Sequence, residues 1–384
     1  MTARKDRFHL SPETRILTPE VAGLAELLHA LREGQSILAQ PGAVPIQAQA
    51  EQTQWLYCKS SGSTGYAKTI RRSPESWIRS FEMDRELFAL GARDTYASLG
   101  NLSHSLTLFA AVAACQIGAD LAMLGDCGPR EQLSRLGEFH ASVLYATPAQ
   151  LRLLRRAAGK RQLEGLRLLF SSGGKLDHET RAGLQQLFPG AQVIEIFGAT
   201  ETSYMTIAGP DALEGSVGQA YPGVEIRIDS PDANGVGEIW IRSPFVFDGY
   251  VKGESQETRW NNGWLTIGEM GQLDESGNLF AKGRKNRMVT VADKNVFPEE
   301  IEAVLMRVPE VEIAVVCAVP DVLRGHVIHA AVQGEASPAA LRQLCRHQIG
   351  DHAVPRSIRR VEKIPMLAAG KPDLQALRDL WDDL

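Results

Sequence analysis

Close cysteine pairs are missing from this sequence: its five cysteines, Cys58, Cys115, Cys127, Cys317 and Cys345, are odd in number and widely spaced. That spacing excludes a zinc site or a paired redox motif, and the five read as buried thiols of a reducing compartment. A long apolar run is missing too. Leu106 to Leu124 is interrupted by Thr107, Gln116 and Asp120, so a spanning helix there would strand polar groups in lipid. Neither sign of charge dominates, since 41 Lys and Arg against 46 Asp and Glu leave −5, and nucleic acid is set aside as a partner. The opening residues Met1 to His9 never develop the apolar centre of a secretion signal, so a cytoplasmic location is expected. What is present is ordinary globular protein: 384 residues, 44% hydrophobic, enough for two or three domains of about 150 residues each.

Thr18-Pro19-Glu20 predicts a helix start with proline at the first position, followed by Val21, Leu24, Leu27, Leu28 and Leu31 at helical spacing and stopped by Gly34. Residues 39 to 54 read as loose chain. Apolar runs then alternate with helical patterns (Leu106 to Ile117, Ser142 to Tyr145, Ala149 to Ala158, Leu166 to Phe170, Glu179 to Leu187, Gln192 to Phe197), which predicts a mostly parallel sheet in an α/β domain. From Gly215 onward short strands with turn signals, such as Asp274-Glu-Ser-Gly277, predict a small antiparallel β region. Beyond Gly283 come a helix from Pro298 to Arg307, strands Ile313 to Val319 and Val327 to Val332, a helix Pro338 to Ile349 and a helical tail. The expected division is 1–284 for a large domain and 285–384 for a small mobile α+β one.

The densest chemical signal is Ser60-Ser61-Gly62-Ser63-Thr64-Gly65-Tyr66-Ala67-Lys68-Thr69. Small hydroxyl residues and glycines expose successive backbone N–H groups, which with a lysine can surround a phosphate; the competing reading is a surface loop. A Walker-type loop fits poorly, because Lys68 stands three residues after Gly65. Companions follow in order. Leu168 to Leu176 carries the Gly173-Gly174-Lys175 turn, Ile194 to Glu201 ends in Phe197-Gly198-Ala199-Thr200-Glu201, Gly263 to Glu269 comes next, then Gly283-Arg284, Pro298 to Glu302 and Gly370-Lys371-Pro372.

This ordered set resembles the adenylate-forming superfamily of acyl-CoA synthetases, peptide-synthetase adenylation domains and luciferases. The resemblance covers roughly residues 55 to 375. It implies that a carboxylate attacks the α-phosphate of ATP to give acyl-adenylate and pyrophosphate, after which a thiol of coenzyme A or of a phosphopantetheine carrier protein displaces AMP. It further implies that Ser61, Gly62, Ser63, Thr64, Gly65 and Lys68 hold the β- and γ-phosphates, while Gly173, Gly174 and Lys175 meet a flat ligand edge. Phe197 would stack on adenine, Thr200 touch the α-phosphate, and Glu201 ligate Mg²⁺. Lys371 would neutralise the joining oxygens as the main catalytic cation, and His104, Gly198 and Ala199 would line the acid pocket. Arg152, Arg155, Arg156, Lys160 and Arg161 could attract coenzyme A phosphates, but a solvated helix face is the simpler reading.

Departures from the family pattern are specific. Ala67-Lys68-Thr69 replaces Pro-Lys-Gly, and Glu269, framed by Gly268 and Arg284, stands where the family has an aspartate that accepts both ribose hydroxyls. Asn286 occupies the hinge, and Ala292-Asp293 replaces a Ser-Gly pair near the pantetheine route, where a side chain would crowd the thiol. Only about 54 residues precede the phosphate loop, so part of the pocket wall is expected to be open or supplied by a second copy in a homodimer. The expected substrate is an aryl or other small to medium acid, as in short ligases of secondary metabolism. The alternative is a non-catalytic adenylate-binding protein of the same fold.

Overall fold

The computed structural model describes residues 6–61, 67–291, 294–321, 325–366 and 372–381. A central seven-stranded sheet runs in the spatial order Gln219–Ala220, Ser203–Ala208, Gln192–Ala199, Leu168–Ser172, Val143–Ala146, Thr95–Ser98, Asp120–Met123. The five strands from Gln192–Ala199 to Asp120–Met123 are parallel, and Ser203–Ala208 returns antiparallel. Three of these parallel strands are buried at every residue, as expected of strands covered on both faces. The helices between them begin where their sequences say. Thr147 and Gln150 form a reciprocal capping box at the start of Pro148–Ala158, and Asp177 caps His178–Leu187 through the Thr180 N–H at 2.7 Å. Ser105–Ile117 is buried from Thr107 to Cys115, which explains its unbroken apolar run.

Two sequence expectations need correction near the N-terminus. The first helix is Leu24–Glu33 and does not start at Pro19. Thr18 is drawn elsewhere: its hydroxyl accepts the Met123 N–H at 2.7 Å while Ile16 bridges Leu121, so this segment lies along the sheet edge. Gly23, with φ of 81°, then turns the chain into the helix. The stretch 39–54 is not loose throughout, because Ile46–Gln49 pairs antiparallel with Ser36–Ala39. These strands belong to a five-stranded sheet ordered Gly249–Lys252, Ala67–Arg72, Leu56–Ser61, Ser36–Ala39, Ile46–Gln49. The expectation of buried cysteines holds for four, whereas Cys127 is half-exposed.

The antiparallel region is a third sheet ordered Arg259–Asn261, Trp264–Thr266, Gly237–Arg242, Glu269–Leu273, Leu279–Arg284, with Glu225–Asp229 beside Gly237–Arg242. Asp274 closes the 274–278 turn by accepting the Ser276 and Asn278 N–H groups, and Gly277 takes the positive φ of 79° that the turn requires. The C-terminal sheet is ordered Val311–Asp321, Gly325–Gly334, Ser357–Val361. Helices Pro298–Leu305 and Pro338–Ile349 cover one of its faces, while Leu377 and Trp381 from the tail pack with Val315, Cys317 and Ala331 on the other. Lys282 reaches Glu300 at 2.8 Å and Arg287 reaches Glu302 at 2.7 Å, joining the third sheet to helix Pro298–Leu305. No helix among the described residues is long and apolar enough to cross a membrane.

Candidate active site

The C-terminal ends of Leu168–Ser172 and Gln192–Ala199 lie side by side, stapled by the Ser172 hydroxyl donating to the Ile196 carbonyl at 3.0 Å. Ends of adjacent parallel strands are where α/β folds assemble ligand crevices. Gly173, with φ of 86°, turns the first chain away. Gly198 is forced by a close approach: a Cβ there would lie 1.9 Å from the Ser203 carbonyl oxygen, across the turn that carries Ala199, Thr200 and Glu201. Thr202 closes this turn by accepting the Ala199 N–H at 2.9 Å. Phe197, half-buried, sits one residue before that turn and packs on the core.

Strand Gly249–Lys252 brings a second set of groups to Glu201. The Tyr250 hydroxyl donates to Glu201 Oε1 at 3.0 Å and also lies 2.9 Å from the Thr258 hydroxyl. Burial and the adjacent carboxylate push the Tyr250 hydroxyl well above the ordinary tyrosine range. Lys68, nearly buried, holds its ammonium 5.9 Å from the centre of the Tyr250 ring, a distance at which the ring face attracts a cation. Lys68 and Glu201, far apart in sequence, therefore share one tyrosine.

Glu269 and Arg284 are register partners on adjacent strands, and Arg284 Nε stands 3.2 Å from Glu269 Oε1. The Glu269 side chain is only 13% exposed. Burial pushes its carboxyl up to about 7, with Glu299, Glu257 and Glu201 acting in the same direction against Arg284. Glu257 lies against Gly268, where a Cβ would come within 2.8 Å of its side chain, and burial raises its carboxyl as well. The wall therefore collects four carboxyls, Glu201, Glu257, Glu269 and Glu299, near the cations Lys68 and Arg284.

Other expected site residues go elsewhere or lie outside the described residues. The Lys175 amine donates to the Gly215 carbonyl at 3.3 Å, and burial followed by Arg307 lowers its proton affinity. His104 is exposed as the N-cap of Ser105–Ile117. Ser61 is the register partner of Ala67 at the end of its strand. Gly62, Ser63, Thr64, Gly65 and Lys371 fall outside the described residues, as do Ala292 and Asp293. Of the basic cluster, Arg152 pairs with Asp177 at 3.4 Å and Arg155 with Glu179 at 2.6 Å, in keeping with a solvated face.

Sequence reasoning missed Tyr250 and Arg72. The Arg72 guanidinium donates to the Thr200 carbonyl at 2.7 Å, the Phe245 carbonyl at 2.5 Å and the Ser76 hydroxyl at 3.0 Å. Strand alternation could have found it, because a period of two from Ile70 puts Lys68 and Arg72 on the same inward face. Tyr250 carried no local signal.

The donor set suits a magnesium nucleotide. No group of three or more His, Cys, Asp or Glu among the described residues could cage a metal ion. One carboxylate plus ligand phosphates is the usual way Mg²⁺ is held, and Glu201 with its Oε1 steadied by Tyr250 fits that role.

Comparison with known proteins identifies the family. The model of a family described as AMP-binding enzyme matches residues 17–251, and that of the AMP-binding enzyme C-terminal domain matches residues 300–371. The uncharacterized acyl-CoA ligase YhfT of Bacillus subtilis is 30% identical over 320 residues, covering 81% of this chain and 65% of the relative. A 2-succinylbenzoate-CoA ligase of Arabidopsis thaliana is 27% identical over 364 residues, covering 82% of this chain and again 65% of the relative. The chain thus spans a little under two-thirds of the length of these curated relatives. Among solved structures, the amide bond synthetase McbA from Marinactinospora thermotolerans superposes with a TM-score of 0.74 at 26% identity, covering 88% of this chain and 72% of that one. With the family model spanning most of the chain and the strand-end motif closed as described, this protein belongs to the AMP-binding enzymes.

Proposed function

We propose that the protein activates a carboxylic acid with ATP and passes the acyl group to a thiol of coenzyme A or a carrier protein. The observation that carries the reading is the Glu201 carboxylate held by Tyr250 beside Lys68, on the turn that follows Phe197. In the first step an oxygen of the substrate carboxylate bonds to the α-phosphorus, the bond to the bridging oxygen breaks, and pyrophosphate leaves with the electron pair. In the second the thiol sulfur bonds to the acyl carbon, AMP leaves, and the thiol proton passes to solvent. Glu201 would hold Mg²⁺, which when bound offsets the charge of the phosphates. Lys68 and the Ser61–Gly65 loop would take the β- and γ-phosphates, Phe197 the adenine, Glu269 the ribose, and Lys371 the joining oxygens. Residues 1–284 would form the large domain and 285–384 the small one, with Asn286, exposed in the turn closed by Arg287 on the Arg284 carbonyl, as hinge.

An aryl or other compact acid is the substrate this reading favours. What supports it is similarity to the 2-succinylbenzoate-CoA ligase of Arabidopsis thaliana. The test is acid-dependent exchange of labelled pyrophosphate into ATP over aliphatic acids from acetate to palmitate and aryl acids from benzoate to 2-succinylbenzoate. Exchange with a compact acid is expected. Absence of exchange across the panel, with AMP still bound, would favour the non-catalytic binder.

A further inference from the structure

Arg72 is buried to 1% exposure, and no carboxylate lies within ion-pair distance of it among the described residues. Burial lowers its proton affinity to about 10, so it stays cationic at neutral pH. Among the described residues its N–H groups reach only neutral acceptors, the carbonyls of Thr200 and Phe245 and the Ser76 hydroxyl, and Nε has no partner. A buried charge is weak support for stability, because an apolar side chain of similar volume often serves as well. What the charge faces is more informative.

It faces one peptide unit of the Phe197–Glu201 motif. In a trans peptide the C=O and N–H point in opposite directions. With the Thr200 carbonyl tied back to Arg72 at 2.7 Å, the Glu201 N–H is turned the other way, and no backbone acceptor meets it among the described residues. The Glu201 carbonyl is tied back as well, by the Phe247 N–H at 2.9 Å. The turn is thus anchored through its carbonyls on one side, with the Glu201 N–H left on the other.

We propose that Arg72 is a positioning residue for adenylation: its buried charge orients and polarises the Thr200–Glu201 peptide, so that the Glu201 N–H meets the charge gathering on the α-phosphate oxygens. That charge rises as the acyl oxygen bonds to phosphorus and pyrophosphate departs. A donor fixed in advance, backed by a cation in a poorly solvated interior, acts most strongly where charge develops in the transition state. The inference rests on the adenylation reading above.

The experiment compares Arg72→Met, Arg72→Gln and Arg72→Lys, with Ser76→Ala as a control that removes another bond of the same guanidinium. Each full-length chain is assayed for pyrophosphate exchange with the best acid of the panel, for AMP affinity by calorimetry and for thermal midpoint. Arg72→Met should lower kcat by about 10- to 100-fold, less than deletion of a direct oxyanion donor, with KM for ATP and AMP affinity within about threefold. Arg72→Gln keeps a donor but no charge and should fall nearly as far, while Arg72→Lys recovers activity at least about threefold over either. Ser76→Ala should lower the thermal midpoint but keep kcat within about twofold. Should Arg72→Met fail to fold, Arg72→Gln against Arg72→Lys decides. A neutral variant with wild-type kcat per folded molecule, or a lysine variant no better than the neutral ones, overturns the assignment. A wild type that exchanges pyrophosphate with no acid overturns the adenylation reading, and this inference falls with it.

Discussion

Burial drives two carboxyls, in two regions of the molecule, to a similar proton affinity of about 7. Asp84 lies in the closed core between helix Pro74–Phe88 and the central sheet, where the Tyr221 hydroxyl donates to it at 2.7 Å. Glu269 lies at the edge of the antiparallel sheet, with Arg284 at 3.2 Å and three more carboxyls near it. One has a neutral donor in a sealed interior, and the other has a cation and partial access to solvent. The contrast separates a carboxyl that serves packing from one that the proposed function gives to a ligand, and a displaced proton affinity alone does not tell them apart.

The sharpest test of that contrast lies beside Glu269. Glu201→Gln removes the one carboxylate assigned to Mg²⁺ and should lower pyrophosphate exchange at limiting Mg²⁺ by about 100-fold or more, since a bound metal supplies several kcal/mol of charge stabilisation. An unchanged rate under those conditions would remove Glu201 from the metal. Next in size, Glu269→Gln should weaken ATP binding by about 10- to 150-fold, the equivalent of a hydrogen bond to a charged group. The ionised carboxyl is the form that accepts ribose hydroxyls, and its proton affinity is raised, so wild-type ATP affinity should increase as pH rises through about 7. The glutamine variant should be flat over that range and should no longer distinguish ATP from 2′-deoxy-ATP. A silent Glu269→Gln and equal use of both nucleotides would dissolve the contrast between the two regions.

Asp84→Asn is the core counterpart, and its effect on activity should stay within about twofold. Its signature belongs to stability. Asp84 titrates near 3.8 when unfolded and near 7 when folded, so its contribution is fully present below pH 3.8 and is lost as pH rises to 7. The shift corresponds to about 4 kcal/mol at most. Urea midpoints of the wild type should therefore carry a component that declines over this window, and the asparagine variant should lack it. Identical pH profiles for the two proteins would mean that Asp84 ionises normally in the folded state.

The centre of the parallel sheet was legible because the apolar runs at 142–145, 166–170 and 192–197 alternate with helical patterns, whereas the short strands Thr95–Ser98 and Asp120–Met123 mix polar with apolar residues and gave no such run. The Phe197–Glu201 motif was legible because a strand, a glycine and a carboxylate stand in order. The start of the first helix was misread: Thr18 has the residue type of a cap, but a sheet edge more than a hundred residues away takes its hydroxyl. Tyr250 carried no signal, and Arg72 was overlooked despite its place on the inward face, for a related reason. Their roles come from partners that only the pairing of Gly249–Lys252 with Ala67–Arg72 and the packing of both against the 199–203 turn bring near.

Local chemistry is short-ranged along the chain, so the sequence by itself determined the order of motifs, the alternation that builds the central sheet, and the side chains available to a nucleotide. Tertiary structure alone decided which of them act on one another. Glu201 meets Tyr250, Thr200 is held by Arg72, and Lys175 turns to Gly215. The proton affinities of Asp84 and Glu269 were settled at the same level, because desolvation and neighbouring charge depend on what remote segments place around a carboxyl.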